Sequence, residues 1–223
     1  MNIRKDPLVN DNYYHIFSRS IAGYEVFNKS EDFARLVELL ILYRYADFVY
    51  RYSKFNELQL SMQEEIIEQL KIKRDFLVEI VAYSIMPTHL HLLLKQVVDN
   101  GISKFISRVL NSYTRYFNLK HHRTGPLWEG KFKNVAVNKD EQLLHLTRYI
   151  HLNPTSAGLV EKPEEWDFSS YNEYLNKEKN GLCNFHQLIA INPKQYKIFV
   201  NDRKSYQKEL SIIKNSLIDN YGG

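Results

Sequence analysis

Two histidines separated by a single leucine, His89-Leu90-His91, are the residues of this 223-residue chain that most suggest chemistry. They fall in an apolar run that reads as a strand, where residues two apart project to the same face, so both imidazoles share one side of a sheet while Leu90 and Leu92 take the other. Two adjacent imidazoles beside apolar surface need a common partner. A divalent metal ion satisfies both lone pairs together, and a hydrogen-bonded histidine pair at a sheet edge is the simpler alternative. Tyr149 and Asn153 are spaced i and i+4, one above the other on a helix. That spacing sets a phenol, a covalent nucleophile once activated, beside a carboxamide oxygen able to complete a metal's ligands. In phosphodiester chemistry the ion would polarise the phosphate and orient it for in-line attack. Against this, Tyr149 is one of sixteen tyrosines and could be a core aromatic, with Asn153 only a helix end before Pro154. Tyr113 and Tyr116 are equally eligible phenols, although the residues four further on, Phe117 and Lys120, are not ligand types.

The elements that must position these groups follow from periodicity. Residues 13–17 alternate and read as a strand reaching Arg19, and Ser30 with Glu31 and Asp32 opens a helix whose apolar positions are Phe33, Leu36, Val37, Leu40 and Ile41. Residues 43–74, first tyrosine-rich and then polar and helix-like, read as an insertion or arm. The runs 76–86 and 89–94, separated by Pro87-Thr88, form a hairpin of buried strands. Residues 103–119 are an amphipathic helix, 120–130 a turn-rich connection, 132–137 a strand, and 140–152 a helix closed by Asn153-Pro154. The order β-α-β-β-α-β-α is that of an α+β, ferredoxin-like (split βαβ) antiparallel sheet with one added helix. Residues 1–175 are expected to form the main domain, with the insertion at about 43–75, and residues 176–223 a C-terminal helical appendage.

Composition narrows the partners. A formal charge of +4 conceals a division: residues 101–140 hold eight Lys/Arg and two acids, a net +6, and the remainder is −2. Phe105, Tyr113, Tyr116, Phe117, Trp128 and Phe132 interleave with those charges, which suits a surface that neutralises phosphates and stacks bases, or, more simply, a solvated helix face and loop. The single Cys183 excludes an internal disulfide framework and a cysteine zinc cluster and points to a reducing, cytoplasmic setting. The apolar runs are too short for a membrane helix, and no signal peptide is expected.

Four blocks appear in order: Tyr14-His15-Ile16-Phe17-Ser18-Arg19; Ile85-Met86-Pro87-Thr88-His89-Leu90-His91-Leu92-Leu93; Gly125-Pro126-Leu127-Trp128-Glu129-Gly130-Lys131-Phe132; and Tyr149-Ile150-His151-Leu152-Asn153-Pro154-Thr155-Ser156-Ala157-Gly158-Leu159-Val160. Together they resemble the single-tyrosine HUH transposases, and among them the REP-associated tyrosine transposases of bacteria. The resemblance implies that His89, His91 and Asn153 hold a divalent ion, Mg²⁺ or Mn²⁺, although two imidazoles and an amide would suit zinc at least as well. It implies that Tyr149 cleaves single-stranded DNA through a 5′-phosphotyrosine intermediate, at or near a hairpin, leaving a 3′-hydroxyl that can rejoin strands. Arg19, Arg115, Trp128, Lys131 and Lys133 are the expected DNA contacts, single-stranded or hairpin DNA the partner, a nucleoid-associated place in the cytoplasm the setting, and a homodimer compatible with the pattern. Two other readings keep the same fold: a domesticated DNA-hairpin binder with little catalysis, and a water-using phosphodiesterase in which Tyr149 is dispensable.

Overall fold

The computed structural model describes residues 6–177, 181–185 and 191–202. Strands β1 (Tyr13–Arg19), β2 (Val78–Met86), β3 (His89–Gln96) and β4 (Lys133–Val137) form one antiparallel sheet in the order β2-β3-β1-β4. Helix α1 (Ser30–Tyr43) carries the chain from β1 to β2, and after the short α2 (Tyr52–Phe55) and α3 (Leu60–Lys73), helix α4 (Gly101–Lys120) carries it from β3 to β4. This is the split βαβ arrangement expected from the sequence. Helix α5 (Asp140–Ser156), α6 (Tyr171–Tyr174) and α7 (Pro193–Asn201) follow.

The strands β1, β2 and β3 are buried on both faces and divide their side chains between them, while β4 at the edge is only partly covered. Leu90, Leu92 and Leu94 join Tyr14, Ile16, Leu36, Phe105 and Val109 in a core beneath α1 and α4. Leu93 instead joins Val81, Ala82, Leu146 and Ile150 beneath α5. Strand β2 serves both cores only because its register shifts between Ile80 and Ala82. Ile80 and Tyr83 thereby both reach the first core, while Val81 and Ala82 both face α5. The bulge leaves the Val81 carbonyl out of the ladder, and the Tyr174 hydroxyl donates to it at 2.9 Å.

Three local results differ from the sequence expectation. The tyrosine-rich stretch before α3 is no arm: Tyr43, Tyr45, Phe48, Tyr52 and Phe55 are buried, and residues 44–46 pair with 75–77 to close the insertion at its base. Helix α5 does not stop at Leu152 but continues through Pro154 to Ser156. Pro154 is buried in the final turn, so the packing of its ring is set against the bond its missing N–H cannot make to the carbonyl four residues back. The connection at 120–130 is also anchored: Trp128 packs against Phe27 and Tyr113, with its indole N–H on Thr114 Oγ1 at 3.0 Å.

Two buried features hold α4 in place. Gly101, its first residue, passes so close to Leu77 that an added Cβ would stand 2.1 Å from that carbonyl oxygen. Asp32, 1% exposed at the start of α1, accepts from Lys120 Nζ at 2.6 Å, Tyr116 Oη at 2.8 Å and the Lys29 amide at 3.1 Å. Burial pushes the Asp32 carboxyl up, but the Lys120 and Tyr116 hydrogen bonds outweigh it and the net shift is downward.

Gly101→Ala tests the first feature. Alanine in an open helix would stabilise by about 1 kcal/mol, whereas here overpacking should cost about 2 kcal/mol or more, so the sign of the change in the urea midpoint decides. For the second, a carboxyl held below its ordinary value contributes stability that is present above about pH 4 and is lost as the pH falls through and below that value. Asp32→Ala should therefore cost about 2–3 kcal/mol at pH 7 and flatten the acid limb of a stability-against-pH curve.

Candidate active site

His89 and His91 lie side by side on β3, their ring centres 5.1 Å apart and nearly perpendicular. Both look towards α5, as their two-residue spacing requires. Across the strand pairs, Arg19 stands opposite His89 and Phe17 opposite His91 on β1, with Ser84 opposite His91 on β2. The Phe17 ring is 4.9 Å from the His91 ring, and the Arg19 guanidinium rests over Phe17 at 5.3 Å. Helix α5 sets the Tyr149 ring edge-on to His91, at 5.8 Å and 88°. Sequence motifs sixty residues apart are thus brought into one cluster by a single helix-on-sheet contact. Tyr149 itself is 9% exposed.

A third histidine completes the cluster. His15 on β1 is fully buried, its ring centre 5.2 Å from that of His91 with the ring planes 21° apart, and it lies edge-on to Tyr149 at 6.1 Å. Its Nε2 is 3.0 Å from His91 Nδ1, a hydrogen bond. The sequence carried a signal for it: a histidine at an inward position of an alternating strand, inside a block already singled out. On the outer side, His89 Nδ1 is held by Thr88 Oγ1 at 2.9 Å.

The electrostatics keep both motif histidines neutral. Burial lowers the His89 pKa to about 4, with the Arg19 charge adding to the effect. Burial also takes His91 well below its ordinary value, followed by the influence of His15, His89 and Arg19. A neutral imidazole is the form that binds a cation.

Among the described residues no group of three or more His, Cys, Asp or Glu side chains gathers to hold a metal ion. An ion at His89 and His91 would need a ligand of another type. Asn153 lies one turn beyond Tyr149, partly buried, with its Nδ2 donating to the Tyr149 carbonyl at 3.1 Å. That bond uses the amide's donor and keeps its oxygen for other work. The donor set of neutral imidazoles, each with its Nδ1 already hydrogen-bonded, is compatible with a bound divalent ion.

The expected DNA contacts fall in different places. Arg19 is at the rim of the histidine cluster and half-buried. Lys133 is exposed on β4 and pairs with Phe17, which puts it on the same sheet face, and Lys131 is exposed just before it. Arg115 is exposed on α4, in the layer across the sheet, where it lines a groove of about 230 Å³ with Arg51 and Arg108. Trp128 is buried, and its ring is packed within the protein rather than displayed to a base. Among the described residues no helix is long and apolar enough to cross a membrane.

A split βαβ sheet with paired histidines on a central strand and a tyrosine on the helix laid across them is the arrangement that the resemblance to the HUH transposases implies. Residues 47–153 match the family model described as "Transposase IS200 like". The chain is similar to the REP-associated tyrosine transposases. The one from Escherichia coli K12 is 29% identical over 105 residues, covering 46% of this chain and 59% of that protein. A relative from Haemophilus influenzae is 27% identical over 110 residues, 45% of this chain and 62% of the other. The chain therefore matches less than two thirds of the length of either relative. In fold it is similar to a solved structure of a REP-associated tyrosine transposase bound to a REP hairpin, with TM-score 0.56 and 17% identity over 82% of this chain and 89% of that one.

The placement of Trp128 generates a prediction. Trp128→Ala should destabilise the protein by about 3–5 kcal/mol in urea unfolding, as removal of a buried aromatic does, while Lys131→Ala should change stability by less than about 0.5 kcal/mol.

Proposed function

We propose that the protein is a metal-dependent single-stranded DNA endonuclease and strand transferase, a transposase that cleaves at or near hairpin DNA through Tyr149. The observation that carries this reading is the Tyr149 ring edge-on to His91 at 5.8 Å, on the one sheet face that also bears His89 and His15. The phenol faces the histidine pair that would hold an ion, which is where a nucleophile directed at a bound phosphate has to stand. The relatives named as tyrosine transposases support the same chemistry.

In this reading His89, His91 and Asn153 hold Mg²⁺ or Mn²⁺. The bound ion supplies Lewis-acid polarisation of the scissile phosphate. Arg19, Lys131 and Lys133 bind the strand's phosphates at the rim, so affinity falls steeply with salt. The Tyr149 oxygen attacks phosphorus, forming an O–P bond as the P–O3′ bond breaks. The phenolic proton passes to solvent and the departing 3′ oxygen takes one up. The product is a 5′-phosphotyrosine and a free 3′-hydroxyl, and attack by a 3′-hydroxyl reverses the step to rejoin strands with no external energy source. Tyr149 lies against the histidines of its own chain, which supports cleavage in cis, and a homodimer would duplicate the site rather than complete it. The protein would act in the cytoplasm, on nucleoid DNA.

The test is to incubate the protein with end-labelled single-stranded hairpin DNA and Mn²⁺ and to resolve the products on a denaturing gel. Wild type should yield a covalent protein–DNA adduct, and Tyr149→Phe, which removes only a hydroxyl, should lose it by about a thousandfold or more. Cleavage that survives Tyr149→Phe would transfer the reaction to a water nucleophile. Binding without cleavage by wild type would leave a hairpin-binding protein.

A further inference from the structure

We infer that His15 is the positioning residue of the site: it fixes the tautomer and ring orientation of His91 so that His91 presents Nε2, not Nδ1, to a divalent cation. The inference rests on the proposed function, in which His91 is a ligand, and it assigns a role to a residue outside the histidine motif.

The argument begins with the buried pair. His15 and His91 are both fully buried, on neighbouring central strands, and joined by the 3.0 Å contact from Nε2 to Nδ1. A hydrogen bond between two neutral imidazoles has one proton between the two nitrogens, and the two directions have opposite consequences. If His15 donates, His91 carries its own proton on Nε2 and cannot ligate through it. If His91 donates from Nδ1, its Nε2 bears the lone pair that a cation requires. Ligating histidines generally give their second ring N–H to a fixed acceptor, and that acceptor is usually a carboxylate or carbonyl. Here the register of β1 against β3 sets the His15 imidazole in that position.

An imidazole acceptor differs from a carboxylate in one useful way. It holds the tautomer without adding a negative charge beside a site meant for phosphate. The two ring planes differ by 21°, so the hydrogen bond runs close to the plane of both rings, and turning the His91 ring would break it. His89 has its own restraint, on Thr88, so each motif histidine is held by a separate partner.

The experiment measures Mn²⁺ binding to the full chain by electron paramagnetic resonance, in wild type, His15→Phe and His15→Gln, with circular dichroism to verify folding. His15→Phe keeps a buried ring but no acceptor, and its Mn²⁺ affinity should fall by about 10- to 100-fold. His15→Gln restores a carbonyl acceptor and should recover most of that loss. Nitrogen-15 NMR of the metal-free protein supplies the second readout, independent of any ion. His91 should be protonated at Nδ1 in wild type and in His15→Gln and shift towards the Nε2–H form in His15→Phe. Unchanged Mn²⁺ affinity in a folded His15→Phe, or an Nε2–H His91 in wild type, overturns the inference and leaves the tyrosine chemistry standing. Wild type that binds no Mn²⁺ while still forming the Tyr149 adduct removes the metal reading, and the role of His15 with it.

Discussion

Everything at the site depends on the two faces of β3 being kept apart. Leu90, Leu92 and Leu94 belong to the core under α1 and α4, and its histidines, with Leu93, to the face under α5. A slip of one residue would exchange them, driving two imidazoles into an apolar core and three leucines towards the cluster, so register is enforced by the cost of both errors at once. The hairpin partner β2 cannot satisfy this by simple alternation, because Val78 and Ile80 fall on one parity and Tyr83 and Ile85 on the other. The bulge at Val81 reconciles them. It adds one residue facing α5, and the orphaned carbonyl is taken by Tyr174, so the correction leaves no unpaired backbone oxygen.

The helix that carries Tyr149 is held from both sides. Its inner positions, Leu146 and Ile150, pack on the sheet. On the outer side His151 bonds Tyr196 Oη and Ser170 Oγ, both at 2.7 Å, and Tyr196 donates on to Thr147 at 2.9 Å. The Arg148 guanidinium reaches the Asp202 carbonyl. Burial lowers His151 to about 3, so this network operates with a neutral ring. Phe185, Tyr196 and Val200, beyond residue 175, share a core with Ile150 and Tyr174, and the outer edge of β2 is covered by contacts from Phe168, Ser170 and Asn184. The nucleophile proposed for Tyr149 would have to be held to within a fraction of an ångström, and a polar network buried behind its helix is a rigid way to do it.

How much of this could be read in the chain follows from the range of each signal. The order of elements, the shared face of His89 and His91, and the stacking of Tyr149 on Asn153 are local periodicities and were legible. The bulge was not, because its trace in the sequence is a loss of alternation in residues 78–86, which looks like any fully buried strand. Trp128 was misleading for a related reason. A tryptophan among lysines and glycines suggests an exposed stacking platform, but whether its ring meets a base or Phe27 is decided by a loop 101 residues earlier in the chain. His15 escaped because its partner is on another strand, and only the β1–β3 register brings the two rings together. Likewise the 43–75 stretch gave no period by which its aromatic residues could be recognised as core.

The division of charge in the sequence acquires a physical meaning in the fold. The basic segment is split by the sheet: Arg115 and Arg108 sit on the α4 layer, while Lys131 and Lys133 reach the rim of the histidine face, where Arg19 joins them. Behind that rim the histidines remain neutral, held so by burial and by Arg19 itself. Attraction for a polyanion and donation of lone pairs are therefore assigned to different side chains at different depths. A site that drew its positive charge from protonated histidines could not also use them as ligands, since the proton and the cation compete for the same nitrogen. In the proposed reading, leaving the charge to arginine and lysine, which stay protonated at neutral pH, would let phosphate binding and cation binding operate together rather than in opposition.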